Sequence, residues 1–155
     1  MAVFLVRHAI AKHRHGWSGD DLLRPLTSRG RRQADGIADL LDGEPIGRVV
    51  SSPATRCRQT VAPVAERLGL EVGDAPELFE GEAPKHALGL VLELTAERGD
   101  SVLCTHGDLV PDLLDRLRHH GLVLDADPAF AKGSTWHLAW DSDRFTIATY
   151  LPPPA

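Results

Sequence analysis

The stretch Val3-Phe4-Leu5-Val6-Arg7-His8-Ala9 decides the fold. Four apolar residues, two of them β-branched and one aromatic, pass directly into an arginine and a histidine. So short a run with no polar alternation reads as a strand buried on both faces, as in parallel sheets. In open α/β sheets ligands bind at the carboxyl ends of the strands, so Arg7 and His8 stand where chemistry is expected.

Further runs repeat the pattern outward along the chain. Ile46 to Val50 ends at Ser51-Ser52-Pro53, Leu70-Glu71-Val72 forms a third short run, and Ser101 to Thr105 ends at a second histidine, His106. Between them the apolar spacing turns helical. Ala34, Ile37, Ala38, Leu40 and Leu41 follow an N-cap at Thr27 or Ser28. A second helix covers Ala54 to Leu68, with Pro53 in its first turn and Gly69 as its stop. Ala87 to Arg98 and Leu109 to His119 read as two more. The residues Ile10 to Arg24 and Gly73 to Lys85 are irregular and are expected to cross the top of the sheet. Thr135 to Trp140 and Arg144 to Tyr150 alternate as a hairpin turning at 141–143, and residues 152–155 are expected to fray. The expected fold class is α/β, a three-layer sandwich whose mostly parallel central sheet is flanked by helices, in one domain over residues 1–151.

Composition narrows the function. A chain of 155 residues that is 43% hydrophobic suits one globular core. A net charge of -5 and a pI near 5.9 argue against a nucleic acid polymer or an anionic membrane as partner, because both need a broad basic face. The first residues lack a signal-peptide layout and no apolar run is long enough to span a bilayer, so the cytoplasm is the expected compartment. Cys57 and Cys104 are not spaced as a metal or redox pair and read as buried thiols.

Two histidines at the carboxyl ends of two buried strands converge if those strands are neighbours in a parallel sheet. Arg56, in the first turn of the helix after the second strand, falls at the same end of the sheet. Arg7, His8, Arg56 and His106 then surround one point. A phosphoryl group suits it, since its oxygens accept bidentate guanidinium contacts. A neutral imidazole in line with phosphorus can attack it, giving a phosphohistidine that water hydrolyses. The arginines keep that imidazole unprotonated and stabilise transition-state charge, so neither a metal nor an organic cofactor is required. Glu77, Glu80 and Glu82, in the second irregular loop, are the candidates for protonating the leaving group, with Glu80 favoured. Lys12, Trp17 and Gly107 are candidates for substrate contact, whereas Arg29, Arg31 and Arg32 read as a solvated helix face.

These residues resemble the histidine phosphatase superfamily, the phosphoglycerate-mutase-like fold. Leu5-Val6-Arg7-His8-Ala9 is similar to its arginine-histidine-glycine signature, and Leu26-Thr27-Ser28-Arg29-Gly30 through Gln33-Ala34 to its first helix start. Ser51-Ser52-Pro53 to Thr60 resembles its "S-S-P-x-x-R-x-x-Q-T" segment, and Val102 to Gly107 the strand carrying the second histidine. The resemblance implies His8 as the phosphorylated nucleophile, Arg7, Arg56 and His106 as the phosphate pocket, and an acid from the loop after the third strand. The short chain and the alanine at position 9 look most like the phosphohistidine phosphatase branch. The Trp17 to Asp21 loop and Lys132 to Trp136 resemble the phosphatase-like domain appended to some actinobacterial Nudix hydrolases. The expected substrate is a phosphohistidine protein or a small phosphate ester. A nucleotide polyphosphate phosphohydrolase, a mutase and a phosphate-binding module without turnover are the alternatives.

Overall fold

The computed structural model describes residues 1–155. Seven strands, β1 (Ala2–Arg7), β2 (Ile46–Ser51), β3 (Val72–Asp74), β4 (Asp100–Thr105), β5 (Val123–Leu124), β6 (Thr135–Asp141) and β7 (Arg144–Leu151), form one sheet in the order β3-β2-β4-β1-β6-β7-β5. The β3-β2-β4-β1 half is parallel throughout, and β6 joins β1 antiparallel. The helices are α1 (Ser28–Leu40), α2 (Thr55–Leu68), α3 (Pro84–Leu94) and α4 (Leu109–His119).

The strand alternation divides the interior in two. Val3 and Leu5 of β1 pack with Val91 of α3 and Leu113 and Leu117 of α4, while Phe4 and Val6 pack with Ile37 of α1 and Val61 and Val64 of α2. Both faces of β1 are therefore covered, which is why its sequence is apolar without interruption. The architecture is the expected three-layer α/β sandwich.

The start of α1 is pressed onto the segment that follows His8. Thr27 caps it, its Oγ1 accepting from the Gly30 N–H at 3.0 Å. A Cβ on Gly30 would lie 2.0 Å from the Ile10 carbonyl oxygen, so only glycine permits this approach.

Several boundaries differ from the sequence reading. Helix α3 spans Pro84–Leu94 instead of 87–98, because Pro84 suits the first helical turn and the chain leaves the helix before Gly99, whose φ is +81°. Helix α2 begins at Thr55, which leaves Pro53 ahead of it, and β3 lies at 72–74, two residues later than the apolar run. The two-residue β5, which pairs with β7, has no periodic signature. The tail is docked where fraying was expected: a Cβ on Gly36 of α1 would come within 2.4 Å of the Pro154 Cβ, so Pro154 fills the hollow over that glycine.

Candidate active site

Parallel register brings the two histidines together. Arg7 pairs with Thr105 across β1 and β4, the His8 N–H donates to the Thr105 carbonyl at 3.0 Å, and the imidazole centroids of His8 and His106 lie 5.6 Å apart. On the other side of β4, Ser51 pairs with Cys104 and the Ser52 N–H donates to the Cys104 carbonyl at 3.0 Å. Three strand ends thus stop level, presenting Ser52, His106 and His8 in a row.

A cleft of about 390 Å³ opens above them, lined by Arg7, His8, Arg56, Glu80, Gly107 and Asp108, with Lys12, His13, Arg14, His15 and Lys132 at exposed positions of its wall. A larger hollow of about 490 Å³, lined by Arg118 and residues 122–128, shares no residue with it and holds no histidine.

His8 is 7% exposed. Its Nδ1 lies 2.8 Å from the Ala9 carbonyl oxygen, an obligate acceptor, so the ring proton belongs on Nδ1 and the lone pair on Nε2. Burial, followed by the neighbouring His106 ring and the charges of Arg56 and Arg7, pushes its pKa down to about 3, against the Ala9 hydrogen bond. The ring is neutral at physiological pH. Ala9, where a glycine was the pattern, is fully buried without a positive φ, and its N–H donates to Thr60 Oγ1 at 2.9 Å.

Arg56, at the start of α2, is 1% exposed and donates from Nη1 to the Asp21 carbonyl at 2.9 Å. Its Nη2 lies 3.4 Å from Asp21 Oδ2 and 3.5 Å from Glu80 Oε2. Arg7 donates from Nη1 to the Phe130 carbonyl at 2.8 Å and stacks over that ring. Burial lowers its pKa, while Asp108 and Glu80 support its charge. Each of the two guanidiniums keeps a buried Nε without a protein partner, donor capacity that an anion would satisfy. Gly107 makes room for Arg7: a Cβ there would lie 2.6 Å from the guanidinium carbon.

Two of the expected residues are not part of the cleft wall. His106, expected in the phosphate pocket with the other three residues, is 1% exposed, as Arg56 is, and its ring lies 5.6 Å from that of His8. Its Nε2 is held 2.8 Å from Ser52 Oγ, and Arg56 Nη2 covers Nδ1 at 3.4 Å. Since a guanidinium only donates, Nδ1 accepts and the proton sits on Nε2. Trp17 was expected at the substrate and is absent from the cleft wall. Its Nε1 donates to the Asp20 carbonyl at 2.8 Å, and its ring lies 5.8 Å from Lys12 Nζ, backing that lysine.

Glu80 is the one of the three loop glutamates that reaches the cleft; Glu82 faces His86 at 3.8 Å. Glu80 Oε1 lies 3.4 Å from Arg14 Nη2. The sequence reading missed Asp21 and Asp108. Asp21 accepts from Arg24 Nε at 2.9 Å and lies 3.6 Å from Arg14 Nε, so one carboxylate ties together the cations of the first loop. That arginine bond, more than the neighbouring charges, holds Asp21 below the ordinary carboxylate range. Asp108 Oδ2 accepts from the Gly81 N–H at 2.9 Å and anchors the loop bearing Glu80. Asp108 sits two residues past His106, the one sequence cue to its place.

Comparison with known proteins gives the family. A family model for the histidine phosphatase superfamily (branch 1) matches residues 3–87. An 8-oxo-(d)GTP phosphatase of Mycolicibacterium smegmatis is 33% identical over 155 residues, covering 98% of this chain and 48% of the relative. An uncharacterized protein of Picosynechococcus is 34% identical over 94 residues, covering 59% of this chain and 54% of that protein. The chain thus spans about half the length of these two relatives. Among solved structures, a SixA protein histidine phosphatase complexed with tungstate superposes with a TM-score of 0.77 at 26% identity, covering 98% and 95% of the two chains. A SixA described as a phosphohistidine phosphatase from Nakamurella multipartitia gives 0.72 at 26%, covering 99% and 96%.

Proposed function

Because the chain belongs to the histidine phosphatase superfamily, we propose that it is a phosphatase that hydrolyses its substrate through a phosphohistidine formed on His8. The observation that carries this reading is the state of His8: neutral, with Nε2 unprotonated, beside the half-buried guanidinium of Arg7 and the buried one of Arg56. Nε2 attacks phosphorus, forming a P–N bond as the bond to the leaving group breaks. Arg7 and Arg56 bind the non-bridging oxygens and stabilise their charge. His106, held by Ser52 behind Arg56, positions that arginine and adds a polar wall. Glu80 hands a proton to the leaving group. In the second step water attacks phosphorus, its proton passes to Glu80, and the P–N bond breaks to release phosphate.

The substrate is a phosphorylated protein side chain, as the SixA likeness suggests, or a small phosphorylated molecule. The second reading, a nucleotide polyphosphate, is favoured by the Mycolicibacterium smegmatis relative.

His8→Ala tests the covalent step. We expect kcat on phenyl phosphate to fall on the order of a thousandfold or more. Radiolabelled substrate should leave an acid-labile, base-stable label on the unmodified protein and none on the variant. Equal rates in the two proteins would sink the reading.

A further inference from the structure

We propose that Lys12 and Lys132 form a second anion subsite at the cleft, so that the favoured substrate carries another anionic group next to the phosphoryl group transferred. The inference rests on the phosphatase reading for which group is transferred, while the subsite itself rests on charge and geometry.

The cleft is several times larger than one phosphoryl group needs, and its wall is rich in cations although the chain is acidic overall. Apart from Arg7, which belongs to the phosphoryl site and is in no ion pair, the lysines and arginines of that wall fall into two groups. Arg14, Arg24 and Arg56 are paired with Asp21 or Glu80. Lys12 and Lys132 line the same cleft, are exposed, and take part in none of the ion pairs of the chain. Unpaired like charges gathered in one concavity repel each other and raise the local concentration of anions.

Both lysines are also mounted rigidly. The Lys12 N–H donates to the Pro25 carbonyl at 3.0 Å, and the Lys12 carbonyl accepts from Arg24 Nη1 at 2.6 Å. Trp17 backs its ammonium group. The Lys132 carbonyl accepts from Gln33 Nε2 at 3.3 Å, and the next residue, Gly133, donates to the carbonyls of Arg7 and His8 at 3.2 and 3.1 Å. Lys12, in the loop after β1, is therefore held against the residues that lead into α1, and Lys132, in the segment before β6, is held next to the segment carrying His8. Arg7 and Arg56 hold the reacting phosphoryl group, and the two ammonium groups remain for a second phosphate or a carboxylate on the same molecule. Compact point charges suit a role that asks for charge more than for fixed geometry.

Two non-hydrolysable ligands that differ by one anionic group test this directly: methylphosphonate and methylenediphosphonate, titrated calorimetrically into the native chain. We expect the diphosphonate to bind about tenfold tighter, as two exposed ion pairs allow. In the double variant Lys12→Ala/Lys132→Ala the preference should shrink to about threefold or less, and Lys12→Arg/Lys132→Arg should restore it. Equal affinities in the native chain, or an undiminished preference in the double alanine variant, would overturn the subsite. Turnover of the native chain against His8→Ala reports on the phosphatase reading separately, since neither phosphonate can be hydrolysed.

Discussion

His8 is 7% exposed and shares its surroundings with the guanidiniums of Arg7 and Arg56, so a proton on Nε2 would add a buried charge beside charges already there. The cost of that proton is what keeps the Nε2 lone pair of His8 free. Its neighbour His106 is controlled by one hydroxyl, the 2.8 Å contact with Ser52 Oγ. Ser52→Ala leaves a buried ring nitrogen without its main partner, and Arg56 loses the surface it leans on. We expect kcat to fall about tenfold while KM changes by about twofold or less, because Arg7 and the rim still bind the phosphate. A rise in KM with kcat intact, seen in steady-state kinetics, would assign Ser52 to ground-state binding instead.

At the scale of elements, the site depends on strands that end level and on a helix that comes unusually close. The β1–β4 and β2–β4 registers place His8, His106 and Ser52 together whatever the loops do. Helix α1 then confines the segment after His8, and Gly30 is the point of contact. Gly30→Ala drives a methyl group into the Ile10 carbonyl, so the helix must move away or the catalytic segment must shift. Denaturant unfolding should show a loss of about 1–3 kcal/mol. Activity should fall beyond what that loss explains, since Ile10 N–H also donates to Gln33 Oε1 at 3.0 Å within the same contact. An unchanged unfolding midpoint would mean that the approach is looser than the geometry indicates.

For the whole molecule, burying a neutral histidine couples stability to pH. The unfolded chain takes up a proton at His8 near 6.5, but the folded chain refuses it until about 3. Between those values the unfolded state binds more protons, so stability falls as pH falls, by up to about 1.4 kcal/mol per pH unit from this one residue. Thermal unfolding followed from pH 7 to 4 should therefore show a steeper decline in the native chain than in His8→Gln, and parallel curves would contradict it. Much of this molecule was readable from local pattern. Apolar runs that end abruptly in Arg7-His8 and at His106 need burial on both faces, and only a parallel, helix-covered sheet provides it. The Thr27 cap and the Ser51 to Thr60 segment likewise declare themselves through short-range chemistry. What tertiary structure alone decided are matters of long-range contact. Arg56 covers His106, Asp21 gathers three arginines from two segments, Trp17 supports Lys12 outside the cleft, and Glu80 reaches the cleft where Glu77 and Glu82 do not. Such choices depend on how irregular loops pack across the end of the sheet, where no periodicity links a residue to its partner. His8 and its strand were therefore legible in sequence, and Glu80 and Lys12 were named there as candidates, whereas the pairing of the arginines and the unpaired state of the lysines became visible only when the loops were in place.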